Sequence, residues 1–187
     1  MLKKMNKIAA ITMLLSVMGT STAFAAEPTA GVTGTGNVTI DNLTAANFTA
    51  ITLDGTTKTT TSTVTDMTLI DATGTGAGWD VNLKATAFTN AGATHNTLNT
   101  LPEGSLALGA VTITAVGDST AITNITTATG AIDNASGVTI LNAGINEGMG
   151  TYTVGVAPMT LTLLPKDAKA GSYTSTITMT LTQGPSI

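Results

Sequence analysis

The chain has 187 residues, with 11 acidic and 7 basic side chains, a formal net charge of −4 and no cysteine. Nucleic acids and anionic membrane surfaces are excluded as partners, because their phosphates bind clustered lysine or arginine and an acidic chain repels them. Without disulfides the fold depends on packing and strand pairing, and the length suits one domain around one hydrophobic core.

The first 25 residues have the three zones of a secretory signal peptide. Three lysines within the first seven residues supply positive charge, an apolar run covers residues 8–18, and Ala23-Phe24-Ala25 matches the small-residue cleavage rule. The apolar run has about 11 residues whereas a membrane-spanning helix needs about 20, so no integral membrane insertion is expected. The sequence therefore predicts a secreted protein beginning at Ala26, and export without cysteine favours a Gram-positive source.

The remaining sequence indicates an all-β fold. After a leader over residues 26–36, rich in glycine and threonine and expected to be flexible, β-branched residues dominate between glycines and asparagines. Residues 37–187 are therefore predicted to form a single-domain, Greek-key-like β-sandwich of about nine short strands. The predicted strands cover residues 38–40, 51–53, 64–69, 79–87, 111–116, 138–141, 152–156, 159–164 and 173–182. Residues 55–62 are interpreted as a polar loop, and residues 120–135 as the one segment with an ambiguous helical pattern.

Two segments alternate most regularly between apolar and polar residues. Trp79, Val81 and Leu83 share one face of their predicted strand, while Asp80 and Asn82 take the face predicted to be solvated. The last predicted strand has threonines on one side. Its other side carries Tyr173, Ser175, Ile177, Met179 and Leu181. A sheet with one buried and one solvated face is implied.

No constellation of catalytic or metal-binding residues is apparent. His95, the only histidine, lies in a predicted loop without acidic neighbours at ligand or triad spacing, so no catalytic residue, metal ion or cofactor is expected. Asp66, Asp71 and Asp80 could supply the carboxylate pair of a secreted glycan hydrolase, but solvated strand-end carboxylates explain them better. The glycine run over residues 74–78 precedes a strand, whereas a phosphate-binding loop precedes a helix.

Two stretches carry a resemblance to a known family. Residues 69–81 read LIDATGTGAGWDV, and residues 163–173 read LLPKDAKAGSY before the strand TITMTL at residues 176–181. Together they resemble the WxL domain of Gram-positive surface proteins, over most of the chain that follows the predicted signal peptide. The resemblance implies a domain that attaches exported proteins noncovalently to the cell wall through peptidoglycan, beside companion surface proteins.

The two family motifs are altered in this chain. Residues 79–81 read Trp-Asp-Val, with valine in place of leucine, and residues 179–181 read Met-Thr-Leu, with methionine in place of tryptophan. The resemblance implies a wall-binding motif formed by Trp79, Val81, Met179 and Leu181. The apolar alternation instead favours packing of these side chains in the sandwich, so the sequence leaves both a core role and a glycan-contact role open.

The sequence therefore predicts a structural or adhesive surface protein that binds peptidoglycan or another wall glycan without a covalent link. The main alternative is a subunit of an extracellular filament or biofilm matrix, because threonine-rich strands and a flexible leader favour strand addition between copies. A secreted glycan hydrolase is the third interpretation.

Overall fold

The computed structural model describes residues 30–34, 36–92 and 99–184. Contacts divide the chain into the units Met1–Val32 and Thr33–Ile187, and the secondary structure of the described residues lies in the second unit.

Several sequence predictions concern residues at or beyond the borders of the described part. His95 and the predicted signal peptide at residues 1–25 lie outside the described residues. Residues 30–34, in the predicted leader, are exposed and form no regular secondary structure. The leader and the domain start at residue 37 stay predictions.

Eleven strands and one turn of 3-10 helix, Ile122–Asn124, make up the regular structure of the described residues. The strands are β1 (Val38–Ile40), β2 (Lys58–Ser62), β3 (Met67–Asp71), β4 (Trp79–Ala85), β5 (Leu106–Ala107), β6 (Val111–Val116), β7 (Thr126–Thr127), β8 (Val138–Ala143), β9 (Gly150–Val156), β10 (Met159–Leu163) and β11 (Ile177–Gln183). Most are rich in threonine, valine, isoleucine or leucine, and β-branched side chains pack well on a pleated sheet. Gly74 and Gly117, both with positive φ, lie in the turns that follow β3 and β6.

The strands form three antiparallel sheets, with the orders β1-β3-β9-β6, β11-β4-β8-β7 and β2-β10-β5. The two four-stranded sheets meet at both edges, where β1 contacts β11 and β6 contacts β7. Between them the rings of Trp79 in β4 and Tyr152 in β9 pack against each other. The predicted all-β class is confirmed, and the two facing sheets have a sandwich arrangement.

The core follows the alternation predicted for β4. Trp79, Val81 and Leu83 are fully buried. Fully buried side chains of the facing sheet include Leu69, Tyr152 and Val154. In β11 the apolar residues are half-buried against this core while the threonines between them are exposed, as the sequence predicted.

The strands differ from the prediction in four places, and one of them is the two-residue strand β5, which was not predicted. β2 lies within residues 55–62, predicted as a loop, because its hydroxyl-rich sequence shows no apolar alternation and the strand forms by pairing with β10. The predicted strand at residues 51–53 is irregular, and residues 120–135 contain only the short 3-10 turn and β7. Among the described residues, no helix is long and apolar enough to cross a membrane.

Two of the three acidic residues predicted to be solvated are buried. Asp80 is 3% exposed; it lies on an inner strand, with Thr182 and Asn142 at the positions opposite it. Asp71 is 5% exposed, because the turn after β3 folds back over its carboxylate. Asp66 is exposed, as predicted.

Candidate functional site

The strands that carry the two motifs are neighbours in one sheet. β4 pairs with β11 in antiparallel register, and Val81 lies opposite Leu181 while Met179 lies opposite Leu83. Residues directly opposite in such a pair have side chains on the same face. The structure therefore brings the four predicted motif residues onto one face of two adjacent strands.

The four motif residues differ in exposure. Trp79 and Val81 are fully buried because β4 is an inner strand. Met179 and Leu181 are half-buried because β11 is at the edge of its sheet. A fully buried indole offers no free face on which a sugar ring could stack, so a polymer has access to the β11 residues and not to Trp79.

The indole of Trp79 is held by a hydrogen bond and by an aromatic contact. Its Nε1 donates to the carbonyl oxygen of Gly148 at 2.9 Å, which satisfies the one polar atom of the side chain. The Tyr152 ring packs edge-on at a centroid distance of 6.2 Å and an interplanar angle of 60°. The Tyr152 hydroxyl lies 2.9 Å from the carbonyl oxygens of Thr120 and Met149. Burial raises the pKa of this hydroxyl, because the phenolate would lose its hydration.

Gly148 has no room for a side chain. Its φ is +73°, a left-handed conformation that favours glycine. A Cβ at this position would lie 2.4 Å from Nε1 of Trp79 and 2.7 Å from Cβ of Ala143. The Gly148 carbonyl reaches the indole only because no side chain separates them.

The stretch before Trp79 is organised by a chain of hydrogen bonds. Oδ1 of Asp71 accepts from the backbone nitrogen and from Oγ1 of Thr73, at 3.0 and 2.7 Å. Oγ1 of Thr73 lies 3.0 Å from Oγ1 of Thr75, which accepts from the backbone nitrogen of Ala77 at 3.3 Å. These side chains shape the turn that leads into β4, so the first resembling stretch has a structural role here.

The second resembling stretch, residues 163–173, forms a turn fixed by Asn90 and Tyr173. The buried amide of Asn90 donates from Nδ2 to the carbonyl oxygen of Ala170 at 3.2 Å. A Cβ at Gly171 would lie 2.1 Å from the same Nδ2, so glycine is required for this approach. The Tyr173 hydroxyl accepts from the backbone nitrogen of Lys169 at 2.9 Å. These bonds hold the Tyr173 ring in a half-exposed position.

This turn borders an open groove of about 1060 Å³, which we call the aromatic groove. Ligand sites commonly have roughly 300–1000 Å³, so the groove is large enough for a ligand. Its floor includes Phe88, Met159 and Leu161, which are buried. One wall is formed by residues 45–53 and the other by residues 169–175. Most of the wall residues are exposed or half-buried, so the groove is accessible from solvent.

The wall at residues 45–53 is attached to β2 mainly by side chains. Oγ1 of Thr60 donates to the carbonyl oxygen of Thr49 at 2.9 Å, and Oγ of Ser62 donates to the carbonyl oxygen of Ala46. The Phe48 ring packs edge-on against Phe88 with centroids 5.8 Å apart. Phe48 is thereby fixed with part of its ring facing the groove.

Charged side chains are scarce around the aromatic groove. Among the described residues that line it, Lys169 is the one charged residue and none is an aspartate or glutamate, although the chain has 11 acidic residues. In the part of the chain that the structure describes, no three histidine, aspartate or glutamate side chains come together to hold a metal ion.

A rigid all-β scaffold beside an open groove with aromatic, hydroxyl and amide groups defines a binding domain. A family model described as WxL domain, surface cell wall-binding, matches residues 23–185. The chain belongs to this family, which confirms the resemblance seen in the sequence. The protein is a cell wall-binding surface protein and is located at the cell surface. Searches of curated proteins and of solved structures found no match.

Sequence reasoning did not identify the aromatic groove. Phe48 and Phe88 lie about 40 residues apart in segments without a shared pattern, so no local sequence pattern predicts their ring contact. The one available signal was Tyr173, which ends the second resembling stretch. A wall-binding role for Trp79, Val81, Met179 and Leu181 stays a prediction.

Proposed function

We propose that the protein binds peptidoglycan noncovalently and is a structural or adhesive component of an extracellular assembly, beside companion surface proteins. The proposal includes export from a Gram-positive bacterium, directed by a signal peptide at residues 1–25. It also includes a flexible leader at residues 26–36 and a single binding domain over residues 37–187. Membership of a wall-binding family supports it.

The observation that carries the proposal is a hydroxyl-rich surface with little charge. The outer face of the sheet β1-β3-β9-β6 exposes Thr39, Thr68, Thr112, Thr114 and Thr153. Among the described residues, Lys58 pairs with Asp54 and Lys166 pairs with Asp167. Glycan strands offer many hydroxyl and amide groups and little charge, so hydrogen bonds to threonine and amide side chains suit such a polymer.

Sedimentation of the purified protein with purified peptidoglycan tests this function. We expect saturable binding by monomer, and release when soluble peptidoglycan fragments compete. A non-saturable signal, or protein that stays in the supernatant at every peptidoglycan concentration, contradicts the proposal. The assembly role is tested by mixing the protein with a companion surface protein and measuring whether the two sediment together, first without peptidoglycan and then with it.

A filament or matrix subunit is the second candidate, and the edge strand β11 favours it. Among the described residues β11 pairs with β4 on one side and with no strand on the other. β1 contacts this edge without hydrogen-bonded pairing, so the backbone groups of Ile177–Gln183 can template strand addition from another copy if β1 is displaced. Fibres seen by electron microscopy, together with monomer that fails to bind peptidoglycan, would favour this candidate.

The glycan hydrolase has the least support. Asp71 ends β3 and Asp80 lies in β4, so the two carboxylates belong to different sheets, and both are buried. In the part of the chain that the structure describes, no acidic residue lines the aromatic groove to act as a general acid or nucleophile. We propose that the protein has no glycan-cleaving activity, and any cleavage that Asp71→Asn or Asp80→Asn abolishes would contradict this.

A further inference from the structure

We infer that the aromatic groove is the site that holds the wall polymer, and that it takes the glycan strand of peptidoglycan, a chain of N-acetylated sugars. This inference rests on the proposed peptidoglycan binding. It moves the contact surface away from the buried indole of Trp79 to a groove formed by residues 45–53, the floor strand β10 and residues 169–175.

Two aromatic rings at the groove are already held in place without a ligand. The hydroxyl of Tyr173 is bound to the backbone nitrogen of Lys169, and Phe48 is packed edge-on against Phe88. Both Tyr173 and Phe48 are half-exposed. The apolar faces of sugar rings stack on such flat rings, and fixing the rings in advance lowers the entropy lost on binding.

The two walls supply hydrogen-bonding groups that match sugars. Asn47, Thr49 and Thr52 belong to one wall, and Ser172 and Thr174 to the other. The side chains of Asn47 and Ser172 are exposed, and neither forms a hydrogen bond to the described part of the chain. Hydroxyl and carboxamide groups donate and accept, as sugar hydroxyl and acetamido groups require.

The charge of the groove favours the glycan over the other wall components. An anionic wall polymer would need clustered cations, and the described lining residues include one cation, Lys169. The amino groups of a stem peptide would be attracted by carboxylates, and no described lining residue carries one. A largely neutral sugar chain needs neither clustered cations nor carboxylates in order to bind.

The groove is continuous with the motif strands. Ile177 lines the groove and is also the first residue of β11, where it lies opposite Ala85 of β4. The Ala85 end of β4 therefore supports this border of the groove through strand pairing, whereas Trp79 pairs with Gln183 at the opposite end of the two strands. In this arrangement the groove makes the contacts, and the motif residues hold β11 to β4.

The test combines two binding measurements on the full protein. The first is sedimentation with peptidoglycan, and the second is a calorimetric titration with a soluble β-1,4-linked N-acetylglucosamine oligomer. We expect Tyr173→Ala to weaken oligomer binding at least about tenfold, as truncation of a central aromatic contact does. Asn47→Ala weakens it less, and Ile122→Ala, which shortens a 40% exposed side chain in the 3-10 turn, leaves it unchanged.

The outcomes separate the groove from the proposed function. If the unaltered protein does not bind peptidoglycan, the proposed function fails and the groove inference with it. If it binds and both Tyr173→Ala and Asn47→Ala bind equally well, the groove inference fails and the function stands. Binding of a teichoic acid or of a stem peptide in place of the oligomer overturns the glycan assignment. If circular dichroism shows that Tyr173→Ala is unfolded, the Asn47→Ala variant, at an exposed residue, decides whether the groove binds the oligomer.

Discussion

Val81 and Leu181 lie directly opposite each other across β4 and β11, so the third positions of the two family motifs form a single cross-strand pair. Val81 is fully buried and Leu181 is half-buried. Such pairs contribute to sheet stability through side-chain contact. The motifs thus hold the edge strand β11 against the inner strand β4. Their apolar residues stabilise the sheet, whatever ligand the domain binds.

We expect Trp79→Ala to lower the free energy of unfolding by about 3–5 kcal/mol, because it leaves a cavity in the core. The substitution also removes the donor to the Gly148 carbonyl and the ring contact with Tyr152. Trp79→Phe loses less, since an aromatic ring still fills part of the site. Chemical denaturation measures both variants. Unchanged unfolding combined with lost peptidoglycan binding would make Trp79 a ligand residue instead.

Gly148→Ala is expected to destabilise the protein more than Gly55→Ala does. Both glycines have positive φ, but a Cβ at Gly55 meets nothing within 4 Å, whereas one at Gly148 meets the indole of Trp79 at 2.4 Å. Backbone strain alone costs about 1 kcal/mol, and overpacking adds about 1–3 kcal/mol. The difference in Tm between the two variants isolates the clash. Equal losses would show that the Trp79 site is not tightly packed.

The raised pKa of Tyr152 predicts a loss of stability in alkaline solution. The phenol ionises near its ordinary pKa of 10.0 in the unfolded chain and at higher pH in the folded chain. Its contribution is therefore fully present below pH 10.0 and disappears as pH rises through the raised folded value.

Tyr152→Phe is the matched variant for this pH dependence. It should lower stability near neutral pH by about 1 kcal/mol, because the hydroxyl hydrogen bond is lost. It should also remove the part of the alkaline decline that Tyr152 causes, as Tm measured from pH 7 to 11 would show. Parallel declines in both proteins would contradict the assignment to Tyr152.

Met179→Trp restores the tryptophan of the second family motif and tests what that position does. Met179 is half-buried on an edge strand, so a larger side chain is accommodated and stability should change by less than about 1 kcal/mol. We expect peptidoglycan binding to stay the same, because the proposed contacts lie in the aromatic groove. A clear gain in affinity for Met179→Trp, with no gain for Met179→Leu as control, would assign the position to glycan contact.

Much of the scaffold was predictable because its strands alternate. The sequence around Trp79 predicted β4 and its buried face, since only one face of that segment is apolar. β2 could not be predicted in the same way, because residues 58–62 are Lys-Thr-Thr-Thr-Ser and their pairing partner β10 lies about 100 residues later.

The burial of Asp80 and the aromatic groove were not predictable for a related reason. Asp80 stands at a polar position of its own strand, and the alternation of that strand gives no sign that the side chain is 3% exposed. The groove joins segments near Phe48, Leu161 and Tyr173 that are distant in sequence. Local patterns report the face on which a residue lies, whereas a concave site depends on which segments the fold brings together.

The pairing of Val81 with Leu181 also sets the order in which the domain can be completed. The two residues are about 100 positions apart, and contacts between such distant residues form late because the loop must close first. On the proposed export route, a chain that emerges from its N-terminus displays β4 before β11 has arrived. On that route the β4–β11 pair can form only after β11 has crossed the membrane, so the sheet β11-β4-β8-β7 would be completed outside the cell.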